Sequence, residues 1–335
     1  MKTYLYSAAS VMALSLAVAT PALAQSQNDT AGSQRTIDEI VVTAQKREQS
    51  LQDVPIVVTS VNAQQLQDAG IRDIKDLTIV APGLTVTSTS SSAITTARIR
   101  GIGTVGDNPG LESSVGVVID GVYRPRNGVA FSDLGDLERI EVLKGPQGTL
   151  FGKNTTAGVI NIITARPSFS LHANSEATVS NFDGFGAALS LTGPIAKDLV
   201  AGRIYVAARE RDGYYKSVNN VRDPNDQSFY TGRAQLLFTP TSTFDVNVAM
   251  DYTKRDEACC GAVQILNGPT AAIIRGLAPG GIANPTDIDK FRDYSNRGFA
   301  KKITDEGTSI EANWETPWFG NAKLTSITAQ RFWKQ

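Results

Sequence analysis

Hydrophobic and polar positions fall into two textures that meet near Pro167. Before it, three short segments rich in Val, Ile and Leu, at 115–119, 139–143 and 159–163, stand among Gly-, Ser-, Asn- and Pro-rich loops, notably 88–96 and 101–114. That is the pattern of buried strands in a mixed α/β domain. Asn62 followed by Gln65 is a capping pair that opens a helix Gly70 can close, and 74–80 forms a second short helix stopped by Pro82. After Pro167 apolar and polar residues alternate, giving seven strand candidates at 176–180, 187–191, 204–208, 233–238, 244–249, 309–314 and 324–329. The connections at 192–198 and 240–243 are tight, while those at 209–228 and 259–305 are long. Tight turns on one side and long loops on the other are the mark of an outer-membrane barrel. A soluble β-sandwich shares the same period of two, so alternation alone leaves it as an alternative.

The N-terminus carries an export signal. Lys2 supplies a short positive region, residues 8–19 are mostly apolar, and Ala22-Leu23-Ala24 fits a small-x-small cleavage site, so the mature chain is expected to start at Gln25. A run of about 12 apolar residues is too short for a spanning helix, which needs about 20. Residues 25–36 are polar and without periodicity, as in a flexible arm. Next comes a β-prone island, Glu39-Ile40-Val41-Val42-Thr43-Ala44. Such an isolated strand either docks locally or adds to the sheet edge of another protein.

Composition narrows the chemistry. With 32 Lys and Arg against 33 Asp and Glu among 335 residues, the net charge is −1, and there is no basic excess of the kind that binds nucleic acid. One histidine, His172, and the adjacent pair Cys259-Cys260 cannot build a zinc site at the usual spacings. In an oxidising compartment the cysteines can form a vicinal disulfide, pair outside the chain or stay free. Gly101-Ile102-Gly103-Thr104-Val105-Gly106 matches a dinucleotide fingerprint but is followed by Asp107-Asn108-Pro109-Gly110 rather than a helix start, so it reads as a turn. The phosphate-loop likeness at 148–153 fails as well, because Gln147 occupies the first Gly position and Asn154 the Ser/Thr position. No catalytic residue, metal site or cofactor is assigned, and no enzyme activity is expected.

Several ordered motifs then carry a family resemblance. Asp38-Glu39-Ile40-Val41-Val42-Thr43-Ala44 resembles a TonB box. Ile99-Arg100-Gly101-Ile102-Gly103, the run 117–123, and the run 138–152 continuing into 158–164 resemble the plug of TonB-dependent outer-membrane receptors of the siderophore type. The resemblance implies an α+β plug domain followed by antiparallel transmembrane β-barrel strands, in a barrel of about 22 strands, the plugged class of large barrels. The domains expected are a signal peptide at 1–24, a flexible arm with the box (38–44) at 25–49, the plug at 50–167 and barrel strands at 168–335. The 168 residues after Pro167 supply about seven or eight strands at about 10 residues each, so the barrel is expected to be incomplete here and the chain to be the N-terminal part of a longer receptor.

By the same resemblance, residues 38–44 pair with the inner-membrane TonB protein, and Arg100 and Lys144 meet carboxylates of the barrel, the lysine as a point charge where the family usually has Arg. Ligand contacts are expected on three apical loops, at Thr104, Asp107, Asn108, Tyr123, Arg124, Arg126 and Asn127, with the two arginines facing an anionic chelate. The resemblance implies ferric siderophore as cargo, with cobalamin, oligosaccharide or aromatic compounds as alternatives, and outer-membrane lipid as surroundings. A transcription-controlling receptor would need a folded domain before the box, and the 13 residues from Gln25 to Ile37 are too few for one. A secreted β-sandwich enzyme or adhesin is the alternative from a different class.

Overall fold

The computed structural model describes residues 40–71, 73–88, 95–104, 111–126, 128, 136–218, 222–263, 265–277, 290–294, 298 and 300–335. Its first part begins with a hairpin of β1 (Val41–Val42) and β2 (Gln49–Ser50). There follow β3 (Val57–Asn62), α1 (Ala63–Asp68), a 3-10 helix (Ile74–Ile79), the hairpin β4 (Leu84–Ser88) with β5 (Thr95–Ile99), β6 (Val115–Ile119), β7 (Val122–Tyr123), β8 (Leu137–Lys144), α2 (Gly148–Phe151) and β9 (Gly158–Thr164). Five of these strands form one sheet in the order β3-β8-β9-β6-β7, in which only β6 and β9 run parallel. Lying centrally, β8 and β9 are covered on both faces; β9 accordingly reads as an apolar run, whereas β8 buries the charged Glu141 along with Ile140, Val142 and Leu143.

The two faces of this sheet bury different partners. Ile140, Val142, Ile160 and Ile162 pack with Leu66, Ile74, Leu77 and Ile99 from α1, the 3-10 helix and β5. On the opposite face Val118, Leu143 and Val159 pack with Val42, Ala44 and Val54 of the N-terminal hairpin and its continuation. Gly158 opens the central strand β9: at φ +151° an added Cβ would stand 2.3 Å from the Leu143 carbonyl oxygen, so only glycine fits there. Both short helices are capped, the first as the sequence predicts and the second by a residue the sequence reading did not single out. Asn62 accepts from the Gln65 amide at 2.8 Å and Gln65 Oε1 accepts from the Asn62 amide at 3.0 Å, a reciprocal capping box. Asp73 caps the 3-10 helix by accepting from the Lys75 amide at 3.0 Å. Asn62→Ala removes one such acceptor, so we expect a loss of about 1 kcal/mol of local stability. Faster hydrogen exchange of the α1 amides is the check, and unchanged exchange would deny the cap any role.

The second part is one antiparallel sheet of β10 (His172–Ser180), β11 (Gly184–Ala196), β12 (Val200–Arg211), β14 (Gln227–Thr241), β15 (Phe244–Ala258), β17 (Ala300–Thr316) and β18 (Ala322–Lys334), each beside its predecessor in that order. The short β13 (Lys216–Ser217) and β16 (Arg292–Asp293) pair parallel to each other and tie the two long connections together. Two further short helices lie in connections, α3 (Ala271–Leu277) and α4 (Trp318–Asn321). All seven alternating segments of the sequence fall in these strands, which extend beyond them at both ends except that β10 ends with its segment at Ser180 and β15 starts with its segment at Phe244.

Orientation separates the two readings of the alternation. Ile204, Val206, Leu236, Phe238, Met250, Ile310 and Leu324 are exposed on one face. The opposite face carries Arg203, Arg233, Asp251, Arg255, Asp305 and Arg331, which are shielded from solvent. A sandwich buries its apolar face, whereas this sheet turns that face outward and its charges toward the first domain, as a membrane barrel wall does.

Candidate functional site

The N-terminal strand is docked, and one buried carboxylate holds it. In β8, Glu141 lies on the same side of the strand as Leu143, under the β1–β2 hairpin, and is completely buried. A buried carboxylate is costly unless donors surround it, and here they do. Glu141 Oε1 accepts from the Thr43 amide at 2.7 Å and from Arg139 Nε at 2.8 Å. Its Oε2 accepts from Asn161 Nδ2 at 3.1 Å, and the Thr43 hydroxyl reaches the same group at 3.1 Å. Val42 and Ala44 on either side of Thr43 are fully buried. The hairpin is closed by pairing of Val41 with Ser50 and Val42 with Gln49, and by the Leu51 amide donating to Ile40 at 2.8 Å.

A second polar constellation joins the domain to the wall. Asp120 and Gly121 form a two-residue turn between β6 and β7 with φ of 48° and 75°, a conformation that suits an Asp-Gly pair. This turn presents Asp120 and Arg124 to the wall. Asp120 pairs with Arg233, while its oxygens also accept from the Thr164 amide and hydroxyl at 2.9 Å. Arg124, 5% exposed, lies 3.4 Å from Asp251 and 3.5 Å from Asp305. Arg331 forks onto Asp251 through bonds of 2.9 and 2.6 Å and also pairs with Asp305. It crosses the strand between because Gly307 has no side chain; an added Cβ there would stand 2.7 Å from Arg331 Nη1. Three arginines and three aspartates thus balance each other at the interface. Two further ties lie lower on the wall: Asp136 with Arg203 and Ser190, and Arg166 with Asp245 at 2.9 Å and Glu311 at 3.3 Å.

The expected site residues redistribute accordingly. Ile40, Val41, Val42, Thr43 and Ala44 form the docked strand, and Asp38 and Glu39 lie outside the described residues. Arg124 was expected at an anionic chelate but is an interface residue, because its guanidinium is buried between two wall carboxylates. Its neighbour Arg126 lies over the Trp333 ring, 5.6 Å from the centroid. Tyr123 accepts from Asn154 Nδ2 at 3.0 Å, and Thr104 donates to the Glu112 carbonyl at 2.8 Å, so both support loops. Asp107, Asn108 and Asn127 lie outside the described residues. Lys144 was expected at a wall carboxylate; instead it donates to the Pro82 carbonyl at 2.9 Å, within its own domain. Arg100 occupies a turn at φ 55°, its amide donating to the Gly83 carbonyl at 2.7 Å, and no described carboxylate pairs with it. Nearby, at the loop carrying Glu112, hydrogen bonds from Lys153 and Asn154 hold that carboxyl below its ordinary pKa. Cys259 and Cys260 are bonded to each other.

Sequence reasoning missed Glu141, Arg233, Asp251, Asp305 and Arg331. A signal for the wall residues was present: they sit at the odd positions of their strands, opposite to the apolar even positions, which marks them as facing an interior lined by polar groups.

A small mixed-sheet domain tied by ion pairs to the charged face of a sheet whose other face is apolar defines a plugged outer-membrane barrel. Residues 50–159 match the family model of the TonB-dependent receptor plug domain, and the chain belongs to the TonB-dependent receptors. It is 33% identical over 254 residues to the pesticin receptor of Yersinia pestis, covering 70% of this chain and 36% of that relative. It is 27% identical over 216 residues to the vitamin B12 transporter BtuB of Vibrio vulnificus, covering 62% of this chain and 33% of that one. The chain therefore spans about a third of the length of these relatives. Among solved structures it superposes on the ferric yersiniabactin uptake receptor FyuA from Yersinia pestis with a TM-score of 0.69 at 22% identity, covering 83% of this chain and 41% of that one. The pyoverdine receptor FpvA from Pseudomonas aeruginosa gives a TM-score of 0.67 at 18% identity, covering 87% and 39%. At these identities the structural matches establish the fold.

Proposed function

We propose that the chain serves a TonB-dependent outer-membrane receptor that imports a ferric siderophore by rearrangement of its plug. The observation that carries this reading is the docked N-terminal strand: a short β segment, held on the plug by one carboxylate and a small apolar contact, can be exchanged for pairing with another protein. Ligand arriving from the outside would shift the balance toward the undocked strand, TonB would take that strand as an added edge, and tension would move the plug. The work is binding and conformational, with no bond made or broken. The kinship to the pesticin receptor and the likeness to the yersiniabactin and pyoverdine receptors support a ferric siderophore as cargo. A cobalamin importer is the second reading, favoured by the kinship to the vitamin B12 transporter.

The test is Val41→Pro in the receptor. Val41 is 44% exposed, so the change spares the buried contacts of Val42 and Ala44 but removes a backbone donor that strand addition needs. We expect uptake of radiolabelled ferric siderophore to fall to the level of cells lacking TonB, with cargo binding retained. Normal uptake by the variant would reject this role for the segment.

A further inference from the structure

The outward face of the wall changes character along its strands. On β17, Trp314 is exposed beside the short β17–β18 connection and packs edge-on against Trp318 of α4, with ring centroids 5.5 Å apart. Thr304 lies ten residues away on the same face of the strand. Ten residues at about 3.3 Å each, in a strand tilted by about 40°, climb about 25 Å, the height of the apolar band of an outer-membrane barrel. Between these two levels the outward side chains include Leu236, Met250 and Ile310, all exposed.

The register sets out what stands at the far edge of this band. Gly232, Tyr252, Glu306 and Phe332 are cross-strand partners on β14, β15, β17 and β18, and the next outward row is Tyr230, Lys254, Thr304 and Lys334. Lys254 and Lys334 flank Thr304, so their strands are about 10 Å apart at about 4.8 Å per step. One row further on, Asp256 pairs across to Lys302. The rings form a shelf under the cations: Tyr230 and Tyr252 stack with centroids 5.9 Å apart, and Phe332 is 58% exposed. Aromatic side chains gather where an apolar layer meets a polar one.

These lysines are poorly neutralised. The Lys254 ammonium lies 5.9 Å from the Tyr230 ring centroid, and among the described residues neither Lys254 nor Lys334 pairs with a carboxylate. Lys302 reaches Asp256 at 3.4 Å, but Arg222 Nη1 already bonds that carboxylate at 2.7 Å. Lys254, Lys302 and Lys334 therefore carry more positive charge than Glu306 and the shared Asp256 offset. Like charges at an apolar boundary repel, and an anion seated over Thr304 would be attracted by the lysine on either side.

We infer that the row of Tyr230, Lys254, Thr304 and Lys334 is a docking site for the phosphate of a membrane-lipid headgroup, with the acyl chains of that lipid lying on the apolar band beneath. Charge complementarity calls for the anion, and the band continuous with the row calls for the chains. A phosphate offers several acceptor oxygens, so one group can take both ammonium ions, and flexible lysine stems can lie along the apolar surface while their heads reach it. The inference stands apart from import, since plug, cargo and TonB take no part in it.

The experiment counts lipid bound to the detergent-purified receptor by native mass spectrometry during a titration with dioleoyl phosphatidic acid. Two parallel titrations use dioleoylglycerol, with the same chains and no phosphate, and inorganic phosphate, with no chains. We expect saturable binding of phosphatidic acid that neither of the others reproduces. Lys254→Gln and Lys334→Gln should each weaken it about fivefold and together about twenty-five-fold, the contribution of a cation beside an anionic headgroup. Lys254→Arg, which keeps the charge, should bind as the wild type does. Lys197→Gln removes an exposed cation from the tight β11–β12 turn, at the other end of the wall, and should change nothing. Equal affinity for phosphatidic acid and dioleoylglycerol would overturn the role of the phosphate, and equal affinity for phosphatidic acid and inorganic phosphate would overturn the lipid as occupant. Wild-type affinity in the double variant, or an equal loss in Lys197→Gln, would overturn the site.

Discussion

Replacing Asp251 with Ala should release the plug from its wall. Asp251 is the acceptor for both arms of the Arg331 fork, lies 3.4 Å from Arg124 and 3.9 Å from Arg233, and all four side chains are largely shielded from solvent. Without it, three guanidinium groups share the remaining aspartates, Asp120 and Asp305. Removing one member of a shielded charge cluster leaves the others desolvated and unpaired, at a cost of about 3 kcal/mol. That loss falls on the interface, because the apolar cores of the plug lie elsewhere. We expect cells that carry the variant receptor to admit a large antibiotic that intact outer membranes exclude. The Asp120–Arg124 turn should also exchange its amides faster, while β8 and β9 stay protected. An impermeable variant with unchanged exchange would show that other contacts hold the plug.

Glu141→Gln should free the N-terminal strand. The substitution keeps the shape of the side chain but removes its charge and turns one acceptor into a donor, which then faces the donors of Thr43, Arg139 or Asn161. Hydrogen bonds to a charged group are each worth about 1.5–3 kcal/mol, so losing one raises the undocked population by about tenfold or more. Exchange of the Thr43 amide should rise by that factor, with the α1 amides unaffected. On the transport reading, affinity for TonB in the absence of cargo should rise in parallel. Unaltered exchange at Thr43 would mean that the apolar contacts of Val42 and Ala44 suffice to dock the strand.

These two sites were legible to different degrees. The plug motifs, the capping pair of α1 and the seven alternating segments could all be read along the chain, because each rests on neighbours a few residues apart: a cap three positions from its amide, an alternation of two. The box could be read as a strand, since Ile40, Val41, Val42 and Thr43 favour extended backbone, yet where it docks depends on Glu141, 98 residues away from Thr43. Arg124 shows the limit most directly. On a loop rich in polar residues it looked like a ligand contact, and only the register of β15 and β17 brings Asp251 and Asp305 to it, across 127 and 181 residues of chain.

What the sequence determined by itself is local: the strands, the turns, which face of each wall strand is apolar, and the order of the motifs that define the family. What only the tertiary structure decided is the pairing of charges. A charged residue at an inward position has many possible partners, and its energy depends on burial and on distances of a few ångström. Both are set when the sheet fixes its register, as when Gly307 opens the space through which Arg331 reaches Asp251.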